Sequence, residues 1–403
     1  MSMNYISTNN EEKNKLLERF VKYVQIWSES DSQAADKGIF PSTPQQFDFA
    51  RIMKAELEEL GLENVQLTKD CYVYGFLPAN LSENTDTTKK DPVLFMAHLD
   101  TVDEVTGKNV KPQIAKNPQA YTGDSSDTIV TTDGNTLLGA DDKAGIAAIM
   151  GALDFLVHNP QVKHGPIEVM FSPDEETGHG MDRVPLNLIK SKCAFTIDGS
   201  DIGELESECF NAWAAEVAFT GKSTHTGDAR ANKMVNAAVM ASNFLANLPR
   251  HKAPETTDGY QGFIAAMSIE GSIESAKVEL LLRAFTNEEI EEEKELIKQL
   301  AHTQEVIFGG KAQVTFKKQY INMKEEMDKN PELIKKVEKA YTDAGVPIVR
   351  KPIRGGTDGS RLTEMGIPTP NIFNGAHDFH SRNEWLSLNQ MSKAADIIIN
   401  LSI

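Results

Sequence analysis

The chain has 403 residues, of which 40% are hydrophobic and 25% are charged, and its 41 basic and 59 acidic side chains give a formal net charge of −18. This composition is typical of an ordinary soluble globular protein, and the negative charge disfavours a nucleic-acid partner because it repels phosphate backbones. Three widely spaced cysteines, a polar amino terminus and no apolar stretch long enough for a bilayer predict a cytoplasmic protein without a membrane partner.

The first half of the chain alternates helix and strand signals. Helices are expected over 11–28 and 44–60, the second with Thr43 as its N-cap. A continuous apolar run predicts a buried strand at 93–97, two further strands are expected at 167–171 and 194–197, and a buried helix is expected at 144–158. Such alternation predicts an α/β fold with a mixed, mainly parallel sheet flanked by helices.

The pattern changes near residue 210. A compact α+β insertion is expected over 210–319, with strands at 211–221, 262–271, 276–284 and 314–320 and helices at 233–248 and 288–304. The α/β pattern then resumes, with helices at 331–344 and 389–401. The sequence therefore predicts one domain made of 1–209 and 320–403, interrupted by a second domain at 210–319.

Polar side chains follow the predicted strands of the α/β part. In open α/β sheets, ligands bind outside the carboxyl ends of the strands, so side chains placed there are expected to converge at one edge. They are His98 and Asp100 after the first strand, Glu175 and Glu176 after the second, Asp198 after the third, and Asp141 before the buried helix. His380 comes from the far end of the chain.

A metal centre explains these residues better together than singly. Alone, an acid before a helix is most often a cap, and a lone histidine is most often an ordinary surface or core residue. Together they supply two imidazoles and three carboxylates without a thiolate: His98, Asp141, Glu176, Asp198 and His380. This set is typical of Zn²⁺, with Co²⁺ or Mn²⁺ as alternatives. Three carboxylates and one hydroxide balance two divalent cations, so the charge favours two metal ions over one.

The spacing of the remaining acids indicates how the centre would work. Residues i and i+2 of an extended segment share a face, so Asp100 can accept a hydrogen bond from the ring nitrogen of His98 that is not on metal. The adjacent side chains of Glu175 and Glu176 diverge, so one can bind metal while the other stays free. A free glutamate beside a metal centre is suited to be a general base.

Four motifs in this order resemble the M20 metallopeptidases: MAHLDTV (96–102), LGADDKAG (138–145), SPDEETGHG (172–180) and RGGTDG (354–359). Further segments, GELESECFNA (203–212) and APETTDGYQGF (253–263), are similar to the tripeptide aminopeptidases of that family. The resemblance runs from about residue 10 to the end. It departs in GAHDFHSRNEW (375–385) and in the loop at 81–92.

The resemblance implies an architecture and a role for each residue of the centre. The domain at 210–319 would be a lid, through which a homodimer can form. His98 and Asp198 would hold one zinc ion, Glu176 and His380 a second, and Asp141 would bridge them, with a cis peptide bond between Asp141 and Asp142. Glu175 would be the general base, and Asp100 would orient its histidine.

The resemblance also implies a substrate. His225 would lie near the scissile carbonyl, and Arg283 and Arg354 near the carboxylate of a short peptide. Their ordinary alternatives are a turn residue, an ion-paired strand residue and a structural arginine. The expected enzyme removes the amino-terminal residue from tripeptides. The alternatives are another M20 hydrolase, namely a dipeptidase, a carboxypeptidase or an N-acyl-amino-acid amidohydrolase, and a lapsed enzyme that binds without turnover.

Overall fold

The computed structural model describes residues 3–81 and 91–403, which fold into two compact units. The first unit consists of Met1–Ser207, Glu325–Lys351 and Thr357–Ile403, and the second of Glu208–Lys324 and Pro352–Gly356. Most of the loop at 81–92, one of the expected departures from the family, lies outside the described residues. Within the described ranges, no helix is long and apolar enough to cross a membrane. The role of 210–319 as a lid stays a prediction.

Elements are numbered along the whole chain. The strands are β1 Glu63–Leu67, β2 Val73–Leu77, β3 Val93–His98, β4 Gln113–Ile114, β5 Ile129–Thr131, β6 Ile167–Ser172, β7 Ala194–Gly199, β8 Glu204–Glu206, β9 Asn211–Thr220, β10 Phe263–Gly271, β11 Ser275–Ala284, β12 Lys311–Tyr320, β13 Val349–Arg350, β14 Asn371–Phe373, β15 Ala376–His377 and β16 Trp385–Ser387. The helices are α1 Asn10–Val24, α2 Ser32–Asp36, α3 Gln46–Glu59, α4 Gln119–Thr122, α5 Ala140–His158, α6 Ala237–Ala246, α7 Asn287–Phe308, α8 Lys324–Lys329, α9 Pro331–Ala344, α10 Asp358–Glu364 and α11 Leu388–Ser402.

The first unit is built on a mixed sheet with strand order β1-β2-β6-β3-β7-β14-β8-β13. Strands β6, β3, β7 and β14 run parallel at its centre, so their carboxyl ends meet at one edge. Leu94 and Met96 of β3 pack in a cluster with Leu362 of α10, and Phe95, which points to the opposite face, stacks on Phe195. Helix α5 packs on β3 and β7. The predicted fold class, a mainly parallel sheet flanked by helices, is confirmed.

A small antiparallel sheet, β15-β16-β5-β4, also belongs to the first unit. Strands β15 and β16 pair directly, with Ala376 opposite Leu386 and His377 opposite Trp385. The intervening turn, residues 378–384, carries His380. This short hairpin was not predicted, because strands of two or three residues leave no periodicity to detect.

Two predicted helix starts are wrong. The helix expected over 44–60 is α3, which begins at Gln46 without a side-chain cap. The Thr43 hydroxyl oxygen accepts the Gln46 side-chain amide at 3.2 Å, and its proton goes to the Glu29 carbonyl. The helix expected over 233–248 is α6, which begins at Ala237 with Asn236 as its N-cap. Before it, Lys233 lies in a turn and Val235 forms a backbone bridge with Lys222, so helical spacing there was misleading.

The second unit is a four-stranded antiparallel sheet, ordered β10-β11-β9-β12, with helices α6 and α7 packed on it. The predicted pairing of the strands at 262–271 and 276–284 is confirmed, with Phe263 opposite Arg283. Alternate residues of β9, such as Val217 and Phe219, enter a core shared with Phe244 of α6 and Ile297 of α7. This unit therefore has a hydrophobic core of its own.

Glu293 of α7 gives the second unit a pH-dependent weakness. Its side chain is fully buried, one oxygen lies 3.4 Å from Lys252 Nζ, and the other has no hydrogen-bond partner among the described residues. Burial raises the pKa of Glu293 to about 7. Since the folded pKa of Glu293 lies above the unfolded one, the contribution of Glu293 to the free energy of unfolding is greatest below about pH 4.3 and falls as the pH rises through 7.

Replacing Glu293 by leucine, which has a similar volume, should remove this pH dependence. We expect the variant to gain about 1–3 kcal/mol in free energy of unfolding at pH 8, and much less at pH 5, where the native carboxyl is largely protonated. Urea unfolding at both pH values measures this. An equal change at pH 5 and pH 8 would show that packing, not ionisation, accounts for the effect.

Candidate metal centre

The five predicted ligands lie together at the carboxyl edge of the central strands. His98 is the last residue of β3, Asp198 lies near the end of β7, and Glu176 follows β6. Asp141 lies at the start of α5, where the backbone is not yet helical, and His380 lies in the turn between β15 and β16. The peptide bond between Asp141 and Asp142 is cis, as the resemblance implied.

The two oxygens of Asp141 face two different imidazoles. Its Oδ1 lies 3.0 Å from Nε2 of His98, and its Oδ2 lies 3.2 Å from Nε2 of His380. Asp198 Oδ1 is 3.7 Å from His98 Nε2, and Glu176 Oε2 is 3.0 Å from His380 Nε2. The residues thus fall into two imidazole–carboxylate pairs that share Asp141, the grouping that two bridged metal ions require.

The centre is short of positive charge. Burial and the charge of Asp141 raise the pKa of Asp198 to about 7 and that of Glu176 to about 8. Burial alone would lower the pKa of His380, yet its contacts with Asp141 and Glu176 raise it to about 11. The carboxylates around His380 thus favour added positive charge, which bound metal ions would supply.

One oxygen and the donor spacing also fit metal binding. Glu176 Oε1 is buried and has no hydrogen-bond partner among the described residues. Donor atoms of His98, Asp141 and Glu176 lie within 4.8 Å of one another, and so do those of His98, Asp142 and Asp198. The second group makes Asp142 a rival to Asp141. Asp142, however, already accepts hydrogen bonds from the Gly145 N–H at 3.1 Å and the Asn374 amide at 2.9 Å.

Asp100 contacts His98, as expected, and also the two glutamates that follow β6. Nδ1 of His98 lies 3.0 Å from the Asp100 backbone carbonyl and 3.4 Å from its carboxylate, so the closer partner is the carbonyl and not the side chain. The carboxylate instead accepts the backbone N–H groups of Glu175 at 3.0 Å and Glu176 at 3.2 Å. Asp100 therefore fixes the backbone of both glutamates.

The side chains of Glu175 and Glu176 diverge as predicted. Glu176 faces His380, whereas Glu175 lines a small pocket with other polar side chains: His98, Asp142, Ser172, Thr196, Asp198 and Asp358. Burial, and then the charge of Asp198, raise the pKa of Glu175 well above its usual range. A carboxyl group with a raised pKa is suited to exchange protons near neutral pH.

Asp174, the third acid of the trio, has a structural environment. Its carboxylate is buried and accepts the backbone N–H of Ser42 at 2.6 Å, the Ser42 hydroxyl at 2.5 Å and the Gln46 side chain at 2.7 Å. It ties the loop after β6 to the start of α3.

The three predicted substrate residues lie in the second unit. His225 is exposed, and its Nδ1 accepts the Gly227 N–H at 3.2 Å. Arg283 donates to the carbonyls of Trp213 and Leu282. Arg354 donates to carbonyls of the loop 257–261 and lies over two aromatic rings. These are contacts that structural arginines make, and the substrate roles stay predictions.

Four polar residues around the centre were not singled out from the sequence. Asp358 accepts the Ser172 hydroxyl at 2.5 Å, and Asn371 accepts the Asp198 N–H at 3.0 Å. Asn374 donates to Asp142, and Glu384 accepts two N–H groups near Asp141. Asp358 and Glu384 lie inside quoted motifs, which was the available signal. The two asparagines lie in or beside β14, whose three residues give no pattern.

In the segment at 375–385, which departs from the family, side chains contact one another and Asp201. The Trp385 indole N–H donates to Asp378 at 3.0 Å. The His377 ring stacks on Trp385 with centroids 4.0 Å apart, and its Nδ1 lies 3.0 Å from Asp201. His377, Asp378 and Trp385 thus form one local network at the two ends of the turn that carries His380.

Comparison with known proteins gives a family. The protein-family model described as Peptidase family M20/M25/M40 matches residues 94–402. Peptidase T of Clostridium perfringens strain 13 is 39% identical over 406 residues, covering 96% of this chain and 98% of that relative. Peptidase T of Listeria monocytogenes serotype 4a is 40% identical over 412 residues, covering 97% and 98%.

Two solved structures share the fold. Aminopeptidase PepT from Bacillus cereus has a TM-score of 0.77 at 23% identity, covering 97% of this chain and 98% of that one. A tripeptidase from Staphylococcus aureus has a TM-score of 0.78 at 22% identity, covering 97% of both chains.

Proposed function

This chain belongs to peptidase family M20/M25/M40 and is a metallo-aminopeptidase of the peptidase T kind, and on that premise we propose that it removes the amino-terminal residue from tripeptides with two bound zinc ions. The observation that carries the proposal is Asp141, whose two oxygens face His98 and His380 separately. A single carboxylate between two imidazole–carboxylate pairs is the arrangement that a dinuclear centre uses.

The ligand set follows from this grouping. His98 and Asp198 would hold one ion, Glu176 and His380 the other, and Asp141 both. Zinc supplies Lewis acidity, which polarises a carbonyl group and makes water a stronger acid. Co²⁺ and Mn²⁺ suit the same donors and are the alternatives.

The chain's own residues supply the proton transfers. Asp100 fixes the backbone of Glu175 and so orients its side chain. Glu175 takes a proton from the attacking water as the water oxygen bonds to the scissile carbonyl carbon. It then delivers that proton to the leaving nitrogen as the C–N bond breaks, which releases an amino acid and a dipeptide.

Charge and kinship support a short peptide as substrate. The net charge of −18 and the acidic centre favour a protonated amino terminus. His225, Arg283 and Arg354 are the proposed groups for the scissile carbonyl and the terminal carboxylate. Tripeptide preference rests on the relatives named peptidase T and on the segments at 203–212 and 253–263. Dimerisation through the second unit remains a prediction.

Hydrolysis of a matched peptide series tests the proposal. Zinc-loaded protein should cleave Ala-Ala-Ala faster than Ala-Ala or Ala-Ala-Ala-Ala by about tenfold or more, since recognising both termini discriminates by at least 1.4 kcal/mol. N-acetyl-Ala-Ala-Ala should resist cleavage, and chelated protein should be inactive. Cleavage of the acetylated peptide would contradict an aminopeptidase and favour another M20 hydrolase. Full zinc occupancy without any turnover would favour a lapsed enzyme.

A further inference from the structure

Glu384 joins two segments that supply the metal centre. Its side chain is fully buried, and its two oxygens accept two backbone N–H groups at the start of α5, that of Gly139 at 2.6 Å and that of Asp141 at 2.9 Å. Glu384 itself lies in the turn that carries His380. One carboxylate therefore links the backbone around Asp141 to the turn around His380.

The start of α5 needs such a partner. Gly139 is the N-cap residue, has a φ of +74° and offers no side chain to cap the helix. Asp141 is not helical, with φ −80° and ψ 108°. The first N–H groups of a helix have no partner within it, and buried ones must be satisfied from elsewhere. Glu384 satisfies two such groups with one carboxylate, whose negative charge also suits a helix amino terminus.

This link acts where the two proposed metal positions meet. Asp141 presents Oδ2 to His380 at 3.2 Å, and both residues are held by segments that Glu384 connects. We expect a change at Glu384 to free both the Asp141 backbone and the turn that carries His380. Asp198 and His98 lie in β7 and β3, which Glu384 does not contact through these hydrogen bonds.

We propose that Glu384 is a positioning residue that sets the orientation of Asp141 relative to His380, and that it thereby controls binding of the second metal ion more than the first. The inference rests on the proposed function, since it assumes a dinuclear centre. Its alternative is a helix cap that affects stability alone.

A second buried glutamate provides a matched control. Glu168 of β6 is also fully buried in the first unit, and its carboxylate accepts the N–H groups of Lys190 at 2.9 Å and Ser191 at 2.8 Å, together with the Tyr74 hydroxyl. None of these partners belongs to the proposed centre. Glu168→Gln therefore removes the same kind of contact at a distant place.

The test is a Co²⁺ titration of metal-free protein, followed by visible absorption and by bound-metal analysis, with thermal unfolding alongside. Glu384→Gln and Glu168→Gln should both lower the unfolding temperature. Only Glu384→Gln should weaken the second Co²⁺ ion, by about 10–100-fold, and change the absorption spectrum. Glu384→Asp keeps the charge and should bind the second ion with intermediate affinity.

Each result separates the two roles. Native affinity and spectrum in Glu384→Gln would overturn the positioning role, and so would an equal loss of affinity in Glu168→Gln. If Glu384→Gln does not fold, Glu384→Asp decides: native affinity in that variant overturns the inference. Unaltered protein that binds fewer than two Co²⁺ ions would contradict the proposed function as well, and this is visible before any variant is made.

Discussion

Replacing Glu175 by glutamine should lower kcat by about 10²–10⁴-fold, the usual contribution of a general base, while two metal ions remain bound. Glutamine has the same shape but cannot accept and return a proton. Metal binding should persist because Glu175 is not one of the five proposed ligands. Steady-state hydrolysis of the tripeptide, with bound zinc measured on the same sample, checks both halves.

Asp174→Asn is the matched control for this change, since it alters an acid of the same trio. Asp174 accepts its hydrogen bonds from Ser42 and Gln46, so we expect a loss of about 1.5–3 kcal/mol in stability and a kcat close to native. A Glu175→Gln enzyme that keeps more than about a tenth of native kcat would exclude Glu175 as the base.

Replacing Asp141 by asparagine should reduce bound zinc from two ions to at most one and lower kcat by about 10³-fold or more. Loss of metal-supplied charge stabilisation is worth several kcal/mol, and about 4 kcal/mol corresponds to that factor. The reason is geometric, because Asp141 alone faces both imidazoles among the described residues. Bound zinc by elemental analysis and kcat in excess zinc are the measurements.

Asp142→Asn tests the rival directly. Asp142 also lies within ligand range of His98 and Asp198, but its Oδ1 already accepts hydrogen bonds from Gly145 and Asn374, and its Oδ2 accepts the His98 backbone N–H at 3.4 Å. We expect this variant to keep two zinc ions. If Asp142→Asn loses zinc and Asp141→Asn does not, the bridging role belongs to Asp142.

The candidate ligands could be picked out from the sequence because most of them follow local patterns. His98, Glu176 and Asp198 each come at or just after a short, mostly apolar segment that forms a central strand. Their convergence follows from parallel strands having their carboxyl ends at one edge. His380 follows no strand, and its place came from its residue type and from the resemblance.

Long-range partners were beyond local patterns. Nothing near Glu384 indicates that it accepts N–H groups some 245 residues earlier, and no periodicity shows that Asn371 supports Asp198. Asp100 was expected to contact His98, but its carboxylate accepts the backbone N–H groups of Glu175 and Glu176, which no side-chain pattern reveals. Thr43 is a residue type that favours helix capping, yet its hydroxyl contacts the Glu29 carbonyl and the Gln46 side chain instead of a helix N–H.

The place of β14 in the sheet has a consequence for how the protein is made. Strand β14 lies between β7 and β8 although it consists of residues 371–373, so a chain emerging from the ribosome leaves a gap in the sheet of the first unit until those residues have been made. The second unit is complete much earlier, apart from Pro352–Gly356. The later-encoded core therefore closes before the earlier-encoded one, and the proposed metal centre is complete only after His380 has been made.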